Sequence, residues 1–212
     1  MDVSKLSEIE LQLLFAGMGG LIGFLSSIGT VLVSRIIEQQ GKIKIHYKIV
    51  FSKYGNHHTW GFRSNRNEMI FEVPLWVELQ NTSNVVRVMR DFNILLFCEG
   101  KQIGQMVQTN KIGAGDNEEI LGNEGSYSFV LAPRSIKKYD LHFSIKQNEI
   151  NISFDEIRLS YYDENDRKHI FPMEVIKECW REGDLDREGK WKLAQKHRKI
   201  RTRVLKNERQ EV

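Results

Sequence analysis

Hydrophobic and polar residues follow two different patterns along the chain, and the change between them marks its organisation. Residues 11–34 form an uninterrupted run without a charged side chain. From Lys42 onward, apolar residues recur at every second position, which is the period of a strand with one buried face. After Met173 the apolar spacing becomes helical. The pattern predicts an N-terminal helix, a β domain over residues 42–173 and helical segments on its C-terminal side.

The uncharged run is long enough to cross a membrane. As a helix its 24 residues would span roughly 36 Å, against a hydrocarbon layer of about 30 Å. A cleaved signal peptide would have a basic start and a shorter apolar segment, and a helix buried in a soluble protein would have a polar face. With those two interpretations as alternatives, we expect a short tail over residues 1–10 and a transmembrane helix over residues 11–35.

Charges on the two sides of this helix predict its orientation. One lysine and three acids precede it. The basic residues that follow it within about twenty residues are Arg35, Lys42, Lys44, Lys48 and Lys53. Lys and Arg are retained preferentially on the cytoplasmic side of a membrane. We therefore expect a single-pass protein of the inner (plasma) membrane, with its N-terminus outside and its C-terminal domain in the cytoplasm.

Small side chains lie along one stripe of the predicted helix. Gly19, Gly23 and Ser27 recur at every fourth position, with Ala16 and Gly20 beside them. Such stripes allow two membrane helices to approach closely, although glycine is also common in membrane helices in general. We expect the protein to form a homo-oligomer through this stripe.

The middle of the chain is mainly β and predicts short antiparallel strands with a turn about every ten residues. Pro74 predicts an edge position or a bulge in the second strand, and the stretch 81–84 has turn chemistry. Because no helix intervenes, the pattern favours an antiparallel β-sandwich with immunoglobulin-like topology, with a small barrel as the alternative. The predicted strands cover residues 42–51, 68–80, 92–98, 102–108, 125–132, 139–146, 156–162 and 167–173.

The C-terminal residues predict a short helix and an acidic loop over residues 174–189, followed by a basic helical tail. Residues 190–212 contain nine Lys or Arg and two acids, in a chain whose net charge is +3. A basic helix with a thin apolar stripe can lie on anionic lipid headgroups. The same charges could bind nucleic acid, or the tail could simply be solvated. The candidate lipid or nucleic-acid contacts are Lys190, Lys192, Lys196, Arg198, Lys199, Arg201 and Arg203.

One predicted loop carries residues that are typical of protein interfaces. Tyr54, Trp60 and Phe62 are interleaved with Arg63 and Arg66, and Tyr, Trp and Arg dominate binding hot spots. We expect a partner-binding loop here. In the alternative interpretation, Trp60 and Phe62 pack into the end of the sandwich.

The sequence contains no motif that would identify an enzyme. Patterns for a P-loop, a nucleophile elbow, a zinc protease and a kinase are absent, and no histidine or cysteine has partners at metal-ligand spacing. We expect a membrane-anchored, non-enzymatic interaction module with no cofactor or metal and with a protein partner of unknown identity. The alternatives are a membrane effector, whose β domain senses a ligand and perturbs the bilayer, and a membrane tether for nucleic acid.

Overall fold

The computed structural model describes residues 8–50, 60–65, 68–113, 115, 118–150, 152–186 and 189–195. It begins with α1, Glu8–Gln39, which extends beyond the predicted span at both ends. The strands in the described ranges are β1 Ile43–Ile49, β2 Trp60–Asn65, β3 Glu68–Asn81, β4 Arg87–Cys98, β5 Lys101–Gln105, β6 Val107–Gln108, β7 Lys111–Ile112, β8 Glu119–Ile120, β9 Phe129–Leu131, β10 Ile136–Lys146, β11 Glu156–Tyr162, β12 Lys168–Val175, β13 Gly183–Asp186 and β14 Lys192–Leu193. A short 3-10 turn, Gln147–Glu149, follows β10.

The helix α1 does not pack against the sandwich. Its segment Gln12–Ile37 has 26 residues and a mean hydropathy of 1.8, and none of it is buried within the protein. A helix of this length and composition is able to span a membrane. The predicted span therefore coincides with a helix whose apolar surface the rest of the described chain leaves uncovered.

The first sheet is built around β3. One edge of β3 pairs with the whole of β10, from Ile136↔Gln80 to Lys146↔Ile70. The other edge is shared by two strands in line, because β1 pairs with the C-terminal half of β3 and β2 with the N-terminal half. The outer edges of β1 and β2 pair with β14 and β13, and β6 pairs with β10.

Pro74 lies inside β3, and the prediction that it marks an edge strand or a bulge is wrong. It is paired opposite His142 of β10, and its carbonyl oxygen accepts a hydrogen bond from the Val50 N–H at 3.1 Å. Its nitrogen therefore also points toward the edge that β1 and β2 share. Since β1 ends at Ile49 and β2 begins at Trp60, the missing N–H falls at the break between two pairing strands, where proline is tolerated.

The second sheet has the strand order β12-β11-β4-β5, and β9 pairs with the first residues of β4. The predicted β4–β5 and β11–β12 hairpins are confirmed. The strand predicted over 102–108 is divided, because β5 belongs to the second sheet and β6 to the first. The chain crosses between the sheets at Met106, which is buried and donates its N–H to the Ile94 carbonyl at 2.8 Å.

The two sheets pack face to face around one hydrophobic core. The first sheet contributes alternate residues of β3, and the second contributes the inward residues of β4 and β11. These fully buried residues are Phe71, Val73, Leu75, Val77, Leu79, Phe92, Ile94, Leu96, Ile157 and Leu159. Burial of one such side chain contributes about 1.5–3 kcal/mol. The predicted antiparallel sandwich is confirmed.

The short helix predicted after Met173 is wrong. Strand β12 continues to Val175, Ile176 packs in the core, and Trp180 has a positive φ of 58° in a turn. The chain then forms β13 and β14 instead of an acidic loop and the start of a basic helix. The physical reason is the open edge of β1 and β2, where strand pairing satisfies backbone groups on both sides. Residues 196–212, the rest of the predicted basic helix, lie outside the described residues.

Candidate functional site

The end of the sandwich that joins α1 is termed the helix-proximal end. Three turns meet there: 82–86 between β3 and β4, 132–135 between β9 and β10, and 163–167 between β11 and β12. The β4–β5 turn lies at the opposite end, which is termed the distal end. The register of the strands brings the helix-proximal turns together although they are far apart in sequence.

The connection between α1 and the sandwich is short and fixed. Residues 40–42 are the whole link, and three extended residues reach at most about 11 Å. The Lys42 N–H donates to Thr82 Oγ1 at 2.9 Å, and the Thr82 N–H donates to the Lys42 carbonyl at 3.1 Å. Gly41 has a φ of +120°, and a Cβ there would lie 2.7 Å from the Ser83 backbone. The close approach therefore requires glycine.

Asn81 holds two of the helix-proximal turns together. The residue is 1% exposed. The two hydrogens of its Nδ2 are shared among three main-chain carbonyls, those of Val85, Leu131 and Ala132, at 2.8, 3.2 and 3.0 Å. Its Oδ1 accepts hydrogen bonds from the backbone N–H and the hydroxyl of Ser83. The predicted turn is confirmed, and its position relative to the 132–135 turn is fixed.

A groove of about 850 Å³ opens between the two sheets at this end. Its walls are β1 with β14 on one side and β11 with β12 on the other. The floor is aromatic: the Tyr161 ring stacks on His169 with centroids 4.8 Å apart and lies 6.1 Å from Phe171. Charged residues, among them Lys44 and Arg87, form its rim.

Asp163 organises the turn beside the groove. Its Oδ2 accepts a hydrogen bond from His169 Nε2 at 2.7 Å, and its Oδ1 accepts from the Asn165 and Arg167 N–H groups at 2.9 and 3.0 Å. Burial opposes ionisation, but these hydrogen bonds outweigh it and lower the pKa of Asp163 to about 2. Desolvation raises the pKa of the neighbouring Tyr161 hydroxyl to about 12. At neutral pH the groove presents a carboxylate beside a neutral phenol.

The groove combines aromatic rings with charged side chains. The Asp163 carboxylate holds His169 at Nε2, whereas the carboxylate of a serine hydrolase holds its histidine at Nδ1 and leaves Nε2 for the nucleophile. No Ser, Thr or Cys is among the described residues that line the groove. The described part of the chain also contains no group of three or more His, Cys, Asp or Glu side chains placed to hold a metal ion.

The predicted helix-packing residues lie together on α1. A Cβ added at Gly19, Gly20 or Gly23 would meet no atom within 4 Å, and Ala16 is also exposed. The Ser27 hydroxyl donates to the Gly23 carbonyl at 2.9 Å, so its hydrogen-bonding capacity is used within the helix. The stripe is a smooth surface that no described residue of the chain covers.

The prediction that Trp60 and Phe62 belong to an exposed loop is wrong. Both lie on β2, where they are 5% and 0% exposed. The Phe62 ring stacks on Phe71 with centroids 4.6 Å apart and contacts the edge of Trp180 at 5.4 Å. The rings pack in the core, as the alternative interpretation expected, because β2 completes the pairing of β3.

The charged members of the same predicted loop are separated from those rings. Arg63 faces outward from β2, and its Nε lies 3.4 Å from a carboxylate oxygen of Glu72. Burial raises the pKa of Glu72, and the nearby Arg63 partly offsets this effect. Tyr54 and Arg66 lie outside the described residues.

The pairing of β14 gives the direction in which the chain leaves the sandwich. His46 of β1 is opposite Leu193, and the Ala194 N–H donates to the Ile45 carbonyl at 2.8 Å. Since β1 runs away from α1 and β14 is antiparallel to it, β14 runs back toward the helix-proximal end. The last described residue, Gln195, therefore lies at the groove.

Two of the predicted basic contacts lie in the described part of this segment. Lys190 and Lys192 are both exposed, and Lys192 forms an ion pair with Glu174 of β12. Outside the described residues lie Lys196, Arg198, Lys199, Arg201 and Arg203.

The groove was not found from the sequence. Its floor consists of residues on the buried face of the β11–β12 hairpin, with Tyr161 directly opposite His169. The hairpin was predicted, and the pairing of an aromatic residue with a histidine across it could have indicated the floor of the groove. The second wall could not be found in this way, because it is contributed by β1 and β14.

The fold agrees with a known family. A family model described as the YopI Ig-like domain matches residues 41–171. The chain belongs to this family. The YopI Ig-like domain therefore begins at Gly41, where the link meets the sandwich, and ends within β12, while α1, β13 and β14 lie outside the match. No curated protein and no solved structure matches the chain.

Proposed function

We propose that this protein is a single-pass membrane protein in which α1 anchors the YopI Ig-like domain as a non-enzymatic interaction module. The observation that carries the proposal is the 26-residue apolar segment of α1, which is 0% buried and joins the domain through three residues. Exposing apolar surface to water costs about 25 cal/mol per Å². A lipid environment removes that cost over the whole helix.

The charges next to α1 support an orientation with the domain in the cytoplasm. Lys42 and Lys44 lie at the helix-proximal end of the domain, just after the span. Only one lysine lies among the ten residues at the N-terminal side. On the positive-inside rule, the domain lies on the cytoplasmic face of the inner (plasma) membrane.

The exposed stripe at Ala16, Gly19, Gly20, Gly23 and Ser27 supports self-association of the anchor. In a bilayer, helices associate through close packing of small residues and not through the hydrophobic effect. The open space beside these glycines is what a second copy of α1 would fill. The protein is accordingly a homo-oligomer in this proposal.

The direction of β14 supports lipid contact by the basic segment. Strand β14 runs toward the end of the domain at which α1 enters, and the last described residue, Gln195, lies at that end. Each Lys or Arg near an anionic surface contributes about 1 kcal/mol. A nucleic-acid contact would use the same charges and is the competing prediction for this segment.

A membrane effector is the second candidate, and the fixed link favours it. The hydrogen bonds between Lys42 and Thr82 and the contact of Gly41 with Ser83 would transmit a movement of the domain to α1. An effector should become toxic when the domains are clustered, and Gly23→Leu should relieve the toxicity. A passive interaction module should show neither effect.

One experiment tests anchoring, orientation and self-association. Single cysteines replace Ser4 or Lys101, which is exposed at the start of β5, in a Cys98→Ser, Cys179→Ser background. We expect an impermeant thiol reagent to label Ser4→Cys in intact cells and Lys101→Cys only after permeabilisation. The opposite pattern would overturn the orientation, and release of the protein by alkaline carbonate would overturn the anchoring.

Crosslinking of the same membranes tests the stripe. We expect multimers that Gly23→Leu removes. Gly29→Leu is the matched control, because Gly29 also faces open space but lies on the other side of the helix at 100° per residue. Loss of multimers in both variants would show that the stripe is not the contact.

A further inference from the structure

We propose that the helix-proximal end of the YopI Ig-like domain docks directly on anionic lipid headgroups of the bilayer that holds α1. Its contact residues are Lys42, Val86, Arg134, Ile136 and Lys137, which are termed the docking surface. The proposal rests on the anchoring by α1 proposed above. It concerns turns of the domain itself, and it adds a second lipid contact to that of the C-terminal segment.

The acidic residues at the helix-proximal end are already paired within the domain. Each of the three acids in the 163–167 turn contacts a basic or imidazole side chain. These pairs are Asp163 with His169, Glu164 with Arg87, and Asp166 with Arg90. These pairs within the domain therefore largely neutralise the negative charge of the 163–167 turn.

The basic residues of the docking surface are not compensated in the same way. Lys42, Arg134 and Lys137 are exposed, and none forms an ion pair with a described residue. Among the described residues, the side-chain partner of Arg134 is the neutral Asn84 amide, to whose Oδ1 its Nε donates. The stretches 82–86 and 132–138 contain no acid. An excess of uncompensated positive charge favours an anionic surface.

Two apolar side chains lie among these bases. Val86 and Ile136 are 54% and 58% exposed, one beside each of the turns that Asn81 ties together. A single exposed apolar residue is ordinary on a protein surface. Apolar residues flanked by Lys and Arg on the side facing a bilayer have the composition of an interfacial membrane contact.

The length of the link brings the docking surface to headgroup depth. The apolar segment ends at Ile37, two further helical residues rise about 3 Å, and the link adds at most about 11 Å. The headgroup layer on each side of the hydrocarbon is about 5–7 Å thick. The remaining gap is too small for a folded partner protein, so lipid is the occupant to which the geometry points.

The test measures the depth of the docking surface in the full chain, reconstituted in liposomes. A fluorophore is attached at Val86→Cys or, as the distal control, at Lys101→Cys, each in the Cys98→Ser, Cys179→Ser background. The lipids carry a headgroup-attached spin-label quencher, in neutral phosphatidylcholine or with added phosphatidylglycerol. We expect quenching at position 86 to be at least threefold stronger in the anionic liposomes, and quenching at position 101 to be weak in both.

Matched charge reversals identify the residues responsible. The triple variant Lys42→Glu, Arg134→Glu, Lys137→Glu should lower quenching at position 86 to the level seen in neutral liposomes. Lys101→Glu, Lys177→Glu removes exposed bases from the distal end and should leave quenching unchanged. Val86 carries the fluorophore and cannot be varied separately. The apolar contact is therefore tested with Ile136→Asp, which should also reduce quenching at position 86. High salt should act in the same direction, because it screens exposed charges.

The outcomes separate this proposal from the proposed function. If the chain does not float with the liposomes after alkaline wash, the anchoring fails and docking fails with it. If the chain floats but quenching at position 86 equals that at position 101, only docking is overturned. Quenching at position 86 that depends on protein density and not on lipid charge would assign this surface to a second copy and overturn the lipid contact.

Discussion

The sandwich and α1 are both rich in apolar residues, but the sandwich buries these side chains and α1 exposes them. In the sandwich, Phe71 and Leu75 are 0% exposed, whereas Leu13 and Phe24 of α1 are 68% and 66% exposed. The sandwich thus buries its apolar surface within one chain. The described part of the chain leaves the apolar surface of α1 uncovered. Hydropathy identifies both regions as apolar. Only the burial of their side chains shows that the sandwich covers its own apolar surface and that α1 does not.

Truncation of one phenylalanine in each region tests this difference in burial. Phe71→Ala should lower the free energy of unfolding of the sandwich by about 3–5 kcal/mol, because it leaves a cavity in a packed core. Phe24→Ala should leave it unchanged. Urea unfolding of the full chain in detergent, followed by tryptophan fluorescence, measures both, since Trp60 lies 6.1 Å from Phe71. A comparable loss for Phe24→Ala would show that α1 packs on the sandwich.

The interior of the sandwich should also make its stability depend on pH. Burial, with a smaller contribution from Arg63, lowers the pKa of His142 to about 4, against about 6.5 in an unfolded chain. The unfolded state therefore binds a proton first as the pH falls. Stability is fully present above pH 6.5 and declines by about 3 kcal/mol as the pH approaches 4.

Urea unfolding at pH 7 and pH 4.5 measures this decline. His142→Gln should remove most of it, while His46→Gln on β1 is the control that should leave it in place. The lowered pKa of Asp163 acts in a separate window, because its contribution is lost only as the pH falls from about 4 toward 2. A decline that persists in His142→Gln would assign the effect to other groups.

A substitution in the link between α1 and the sandwich should give the smallest loss of stability. Gly41→Ala adds a Cβ that would lie 2.7 Å from backbone atoms of Ser83, at a φ of +120°, and should cost about 1–3 kcal/mol. Gly100→Ala is the matched control, because Gly100 has a φ of +76° with no atom within 4 Å. The difference between their melting temperatures isolates the close contact, and equal losses would show that only backbone strain matters.

Alternation along the chain predicted the strands that carry the core, because each buries one face. Strands β1, β3, β10 and the β11–β12 hairpin all lie within the predicted ranges to within a few residues. The segment after Met173 was mispredicted because Val175, Ile176, Cys179 and Trp180 fit a helix as well as a strand end followed by a turn. Eight residues do not distinguish the two periods.

The helix-proximal end could not be predicted for a different reason. Its turns at 82–86, 132–135 and 163–167 become neighbours only through the order of the strands, which a single sequence does not contain. The same holds for β13, whose Asp184 pairs with Gly61 of β2. Propensity acts locally, whereas these contacts join segments that are roughly 30 to 120 residues apart.

The antiparallel pairing of β14 with β1 has a mechanical consequence. The helix α1 leads into β1, and the chain leaves β14 at the same end of the sandwich. A force applied between α1 and the C-terminal segment would load these two adjacent strands from that end. Their hydrogen bonds would break one after another, and the load would reach neither the β3–β10 pairing nor the core. The protein could then yield to tension by peeling one short strand while its immunoglobulin-like domain stays folded.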